Sequence, residues 1–198
     1  MGDAVPEPAL GGELRGGIVR SVRDGRSVMY RFLPAKHDVD AITDLLHRAY
    51  APLAAAGMQF VAAHQTPDVT RTRLSRGDTI VALAGDALIG IVTLARASAT
   101  SGSPFYDRPD VASFGQFAVE PAWQRAGVGT TLMELVEALA SARGLSFLAL
   151  DTSEYTTDSD SLLHRAWLSL HRTCPMARHE LSQRSPGQAA ARAHASDL

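Results

Sequence analysis

Residues 123–130 read WQRAGVGT, between an apolar run, FGQFAVEP, and a segment with helical periodicity, TLMELVEALASARG. Glycine in a helix costs about 1 kcal/mol relative to alanine, so two glycines at a helix start ask for a reason. A strand, then Gly-x-Gly, then a helix is a physical recipe for holding phosphate. The first N–H groups of a helix lack intrahelical partners, and the helix dipole adds partial positive charge there. Gly127 and Gly129 would let a phosphate approach the backbone, and Arg125 would add an ion pair. Two common phosphate loops do not fit. A Walker loop needs Gly-Lys-Ser/Thr, and Gly129 is followed by Thr130 without a lysine. A dinucleotide-binding unit needs a third glycine and stands at the first strand–helix join, whereas this join follows four predicted strands.

The elements that must position this join are readable from periodicity. SVMYRFL (27–33) reads as a strand closed by Pro34. From Asp38 to about Ala55, the apolar residues Val39, Ile42, Leu45, Leu46 and Ala49 recur at three and four, the mark of an amphipathic helix. Thr66-Pro67-Asp68 opens a second helix, expected to run to Arg76 and stop at Gly77. DTIVALAGDALIGIVTLA is a hairpin turning at Gly85-Asp86, and ASFGQFAVE is a fourth strand. The helix after the join spans about Gly129 to Arg143 with Gly144 as its C-cap, and LSFLALDT is a fifth strand. Residues 1–26, rich in Gly, Pro and charge, are expected to form a flexible arm, with the domain proper over 27–157.

Gln-x-x-Gly-x-Gly after a strand ending in Val-x-Pro resembles the coenzyme A-binding motif of the GNAT-type N-acetyltransferase superfamily. Gln124, Gly127 and Gly129 match it without departure, and the order of elements agrees over residues 28 to about 157. The resemblance implies an α/β (α+β) fold with a central mixed, mostly antiparallel sheet flanked by helices. It implies acetyl-CoA as cosubstrate and an amine of a small molecule or protein as acceptor, attacked directly in a ternary complex. The backbone of Gln124, Arg125, Ala126, Gly127, Val128, Gly129 and Thr130 would then grip the pyrophosphate. Phe117, Ala118 and Val119 would pair with the pantetheine arm, and the Val119 N–H would polarise the thioester carbonyl.

Acetyl transfer to an amine needs a neutral nucleophile, so a proton must leave a group whose free pKa is typically about 10, and a carboxylate is the usual helper. Glu120, at the end of the motif strand, is the first candidate, with a solvated strand-end charge as the plain alternative. Tyr155 is the second candidate, with Ser153 and Glu154 beside it, in the loop where this superfamily commonly shapes its acceptor pocket. Gln116 shares a strand face with Ala118 and Glu120 and would hydrogen-bond substrate or simply sit in the sheet. His47, Arg48 and Tyr50 would line the acceptor side, or serve as a polar helix face and a packing aromatic. The seven histidines form no H-x-x-x-H pattern and Cys174 is the only cysteine, so no metal is implied.

Composition narrows the class. A net charge of −2 over 198 residues gives no electrostatic reason to expect nucleic acid or an anionic membrane. No apolar run reaches the roughly 18 residues that cross a bilayer, and MGDAVPEPALGGELRGG lacks an apolar signal core, so a cytoplasmic location is expected. A homodimer is compatible with an exposed sheet end. A non-catalytic acyl-CoA-binding or regulatory module stays open as the alternative.

The resemblance breaks after about residue 158. The superfamily would continue with a tyrosine-bearing helix, an Arg/Leu-Gly-Phe/Tyr step and two strands; residues 158–198 instead lack a convincing strand and end Arg-, Ala- and Ser-rich. The C-terminal strands are therefore expected to be missing or replaced by an irregular or helical tail. A frameshift near residues 158–161 is our hypothesis for this break. Read one nucleotide later, Trp167-Leu168 must yield glycine and Met176-Ala177 must yield tryptophan, whatever the codons. Permitted codons elsewhere restore the tyrosine, an Arg-Gly-Tyr step and two β-like runs. The coding DNA tests it: without a single-base change there that opens such a frame, the hypothesis fails. An inactive frameshift product is the corresponding third functional reading.

Overall fold

The computed structural model describes residues 9–58, 60–95 and 108–150. Helix α1 (Ala9–Gly16) leads into strands β1 (Ile18–Ser21) and β2 (Ser27–Phe32). Helices α2 (Val39–Ala55) and α3 (Pro67–Leu74) follow, then strands β3 (Gly77–Ala84), β4 (Ala87–Ala95) and β5 (Val111–Val119). Helix α4 (Val128–Ala142) and strand β6 (Phe147–Leu150) complete the described elements. The six strands form one sheet in sequence order, antiparallel except for the parallel pair β5–β6. This is the mixed, mostly antiparallel sheet that the resemblance implies.

Each helix forms for a local reason and is held by one apolar face. Asp38 caps α2 by accepting the Ala41 N–H at 3.0 Å, and Ile42, Leu45 and Leu46 turn inward. Thr66 caps α3, with Pro67 in the first turn where a missing N–H costs nothing. Both helices lie on one face of the sheet, over Val81, Ile91 and Ala118. On the other face, α4 buries Val128, Leu132, Val136 and Leu139 against Ile80, Ala82, Val92 and Ala112. The central residues of β3 and β4 are consequently buried on both faces, which suits their near-continuous apolar sequence.

Two expectations need correction. The loose arm over residues 1–26 is ordered from Ala9 onward: Leu14 is fully buried in the α4-side core, Leu10 packs one turn away, and β1 pairs with β2 from Ile18↔Tyr30 to Ser21↔Ser27. The high glycine content conceals an i, i+4 leucine pair and an Asp24-Gly25 turn, with Gly25 at φ +82°. The second correction concerns Gly77, which does not stop α3. The helix ends at Leu74, and Gly77 already pairs with Ala95 as the first residue of β3. Residues 151–198, including the break in the resemblance, lie outside the described residues. Among those described, no helix is long and apolar enough to cross a membrane.

Candidate active site

At the start of α4, the first intrahelical bond runs from the Thr131 N–H to the Gly127 carbonyl at 3.0 Å. The N–H groups of Val128, Gly129 and Thr130 therefore lack helical acceptors. Side chains cap α2 and α3, but α4 has Gly127 at the cap position, no side-chain cap and no acid in its first turn. Its positive end is left uncompensated. Gly127 sits at φ +102°, a conformation that side chains disfavour. Gly129 is small for another reason: a Cβ there would come within 3.3 Å of Phe117 Cζ and 3.5 Å of Val119 Cγ2. It seats the helix start against β5.

The rest of the 124–130 loop is pinned from both sides. Gln124 Nε2 donates to the Val119 carbonyl at 3.1 Å, and the Arg23 N–H donates to the Ala126 carbonyl at 3.0 Å. Arg125 is exposed and adopts φ 62°. Ser21, Val22 and Arg23 face Ala126, Gly127, Thr130 and Thr131 across a cleft of about 170 Å³. Arg23 forms no ion pair among the described residues, and its Cγ lies 3.9 Å from where a Cβ on Gly127 would stand. The turn that presents it is held by Arg26, which stacks 3.4 Å over the Trp123 ring and bonds Asp24. Those bonds from Arg26 hold the Asp24 carboxyl below its ordinary value. Arg23 thus joins the loop from a segment that sequence reasoning assigned to a loose arm.

Strand β5 is irregular beside this loop. Ile91 faces Ala118 while Thr93 faces Gly115, so Gln116 and Phe117 together oppose Val92 in a bulge, with Gln116 at φ 50°. The bulge resets the alternation. Ala112 and Phe114 before it, and Phe117 and Val119 after it, all pack on the α4 side. Gln116, Ala118 and Glu120 share the α2 side, as expected from the sequence. The β5–β6 ladder ends at Phe114↔Leu150, so beyond it the outer edge of β5 carries no strand among the described residues. Val119 faces Gly90, and the Glu120 N–H bonds the Ile89 carbonyl at 2.8 Å. That makes Val119–Gly90 a non-hydrogen-bonded pair and turns the Val119 N–H outward, toward the unpaired edge.

The α2 face beside the bulge is polar. Arg48 engages both oxygens of Glu120, from Nη2 at 2.9 Å and from Nε at 3.0 and 3.3 Å. The Tyr50 hydroxyl donates to the Phe117 carbonyl at 3.1 Å, and its ring meets Phe60 edge-on at 5.4 Å. Burial pushes the Tyr50 phenol up, opposed by Arg73. His47 Nε2 lies 2.9 Å from the Gln65 carbonyl, which can only accept, so this nitrogen carries the proton. Gln65 is buried and touches Thr70, Gln116 and Arg73. Burial, then the neighbouring Arg76, presses the Arg73 guanidinium below its ordinary value, with Tyr50 opposing. Gln65 and Arg73 carried no signal in the sequence; both sit on or beside a short polar helix that reads as surface. Ser153, Glu154 and Tyr155 lie outside the described residues.

Comparison with known proteins bears on this arrangement. The model of the acetyltransferase (GNAT) family matches residues 39–166. S-(2-succino)cysteine N-acetyltransferase of Bacillus subtilis (strain 168) is 26% identical over 124 residues, covering 62% of this chain and 73% of the relative. The crystal structure of the GNAT domain of S. lividans PAT superposes with a TM-score of 0.61 at 18% identity, covering 86% of this chain and 92% of that one. An N-acetyltransferase from Staphylococcus aureus Mu50 gives a TM-score of 0.53 at 17% identity, covering 73% of this chain and 80% of the other.

Proposed function

The chain belongs to the acetyltransferase (GNAT) family, whose enzymes transfer acyl groups from acyl-CoA, and from that premise we propose transfer from acetyl-CoA to an amine within one ternary complex. The observation that carries the reading is the uncapped start of α4 beside the unpaired edge of β5. An anion with an extended arm fits that pair of features. The N–H groups of Val128, Gly129 and Thr130 would receive the pyrophosphate, with Arg23 and Arg125 supplying charge. Gln124 and Ala126 hold the loop in shape, and Phe117, Ala118 and Val119 offer strand-like pairing to the pantetheine arm.

When bound, acetyl-CoA supplies a thioester carbonyl already activated toward an amine. The outward N–H of Val119 is the proposed donor to that carbonyl oxygen. Glu120 is the proposed proton acceptor for the amine, working through water with whatever lone pairs Arg48 leaves free. Tyr155 remains a candidate for the acceptor pocket. The name of the Bacillus relative supports nitrogen as the atom acetylated. One observation favours the second reading, a non-catalytic acyl-CoA-binding module: both Glu120 oxygens are already engaged by Arg48.

Calorimetry of the full chain with acetyl-CoA, alongside Gly127→Trp, tests the reading. We expect a Kd on the order of micromolar, equivalent to about 8 kcal/mol, and at least a tenfold loss in the variant. A folded chain that does not bind acetyl-CoA overturns it. Binding without turnover of any amine supports the non-catalytic module instead.

A further inference from the structure

The start of α4 has two flanks, and in the proposed complex the pantetheine arm takes only one of them. Gly129 faces β5, where an added Cβ would meet Phe117 and Val119. Thr131 stands two residues on, at about 100° a residue, on nearly the opposite flank. There it lines the cleft of about 170 Å³ with Gly127, Thr130 and, from the β1–β2 turn, Ser21 and Arg23. The turn is fastened to the loop, since the Arg23 N–H bonds the Ala126 carbonyl at 3.0 Å and Arg26 stacks on Trp123. Ordered backbone thus delivers the Arg23 side chain to the cleft, and the side chain itself is open to solvent.

The cleft offers hydrogen-bond donors and positive charge, and among the described residues no carboxylate lines it. Ser21, Thr130 and Thr131 bring hydroxyls, and the uncapped end of α4 brings its dipole. Arg23 forms no ion pair among the described residues, and Asp24 beside it is tied to Arg26. A second signal lies behind Thr131. Tyr30 is fully buried, and its hydroxyl has no hydrogen-bond partner. Its polar neighbour is Thr131, whose hydroxyl eases the phenol without closing a bond to it. Thr131 Oγ1 can accept the phenol's hydrogen once its own O–H turns into the cleft and finds an acceptor there.

An anion rich in acceptor oxygens meets both the unpaired guanidinium and the outward hydroxyl of Thr131. The size of the cleft says how much of a ligand enters it. Drug-sized molecules fill roughly 300–1,000 Å³, so this cleft suits one phosphoryl group of a molecule that lies mostly outside. Coenzyme A carries a 3′-phosphate one ribose away from its pyrophosphate. We infer that the cleft receives this 3′-phosphate, on Arg23 and the hydroxyls of Thr130 and Thr131. The inference rests on the acetyl-transfer reading above and deepens it. The pyrophosphate keeps Arg125 and the N–H groups of Val128, Gly129 and Thr130. With the pantetheine arm on the Gly129 flank, the nucleotide leaves on the other, where the cleft shares Gly127 and Thr130 with the pyrophosphate loop. Arg23 is thus a specificity-determining residue for 3′-phosphorylated acyl carriers, presented by a hairpin that precedes the residues matched to the family.

The test is calorimetry of the full chain with acetyl-CoA and with acetyl-3′-dephospho-CoA, which lacks only that phosphate. The wild-type chain is expected to bind the dephospho ligand about tenfold more weakly. Arg23→Gln should weaken acetyl-CoA about tenfold and leave the dephospho ligand unchanged. Arg23→Lys should restore part of the loss, because a point charge replaces the fork. Thr131→Val should weaken acetyl-CoA about threefold, again without effect on the dephospho ligand. Thermal unfolding confirms that each variant is folded; should Arg23→Gln not fold, Arg23→Lys and Thr131→Val decide by the same ratio. Equal binding of the two ligands by the wild-type chain overturns the inference alone. So does an Arg23→Gln loss shared by both ligands, which would return Arg23 to the pyrophosphate. A folded chain that binds neither ligand overturns the acetyl-transfer reading, and the inference falls with it.

Discussion

Glu120 stands on the α2 side of β5 and is held by Arg48, a contact between residues 72 apart that the sequence cannot announce. The ion pair contributes little to stability, since Arg48 is 51% exposed and such pairs are typically worth about 0–1 kcal/mol. Its value is positional: it holds the carboxylate on the same face as Gln116. In the proposed proton-accepting role, Glu120→Gln is expected to lower kcat by about a hundredfold or more, while the unfolding midpoint barely moves. Arg48→Met should change stability by under about 1 kcal/mol. Wild-type kcat in Glu120→Gln would leave the pair a purely structural contact. Gly127 drew attention in the sequence as a glycine that would let phosphate approach, and the structure adds that it is the left-handed cap of α4 at φ +102°. Gln124 was legible only as a motif position, and its bond to the Val119 carbonyl is what gives it a task.

Among the elements, helices announce themselves through periodicity and caps, and α2 and α4 lie within a residue of where the sequence puts them. The β1–β2 hairpin went unread, because the Gly-, Pro- and charge-rich composition around Asp24-Gly25 argued for a loose arm, and burial of Leu14 overrides that. Gly77 shows the opposite error, a glycine read as a helix stop when the sheet needs it small. A Cβ there would stand 1.9 Å from the Leu94 oxygen and 2.7 Å from the Ala95 Cα, both backbone. Gly77→Ala should destabilise the protein by about 1–3 kcal/mol in urea unfolding, because neither neighbour is a side chain that can swing away. Gly115 is the control, with nothing within 4 Å of the same added atom. Gly115→Ala should stay within about 0.5 kcal/mol of wild type, and any effect it has belongs to the open edge of β5. Equal stability of the two variants would count against the tight β3–β4 contact.

For the molecule as a whole, the fully buried Tyr30 and the partly buried Tyr50 set an alkaline limit. Burial pushes the Tyr30 phenol up, with Thr131 easing it, and burial does the same to Tyr50. Below the ordinary value of 10.0, the folded and unfolded states both keep these protons. Above it, the unfolded chain ionises first, binds fewer protons than the native state, and is favoured, so stability falls as pH rises. Urea midpoints should drop between pH 9 and 11, and the Tyr30→Phe, Tyr50→Phe double variant should flatten that slope; an unchanged slope would remove the phenols as its cause. The frameshift near residues 158–161 remains a proposal for the coding DNA to decide. By itself, the sequence determined the helices, most strands and the strand–glycine–helix join, because each rests on backbone preferences and periodicities within a dozen residues, while the sheet class followed from the family resemblance that the join carries. Only the tertiary structure decided the bulge at Gln116, the approach of Arg23 to Gly127 and the Arg48–Glu120 pair. Those depend on groups tens of residues apart meeting across packed layers, where burial, and not local propensity, sets which polar atoms find partners.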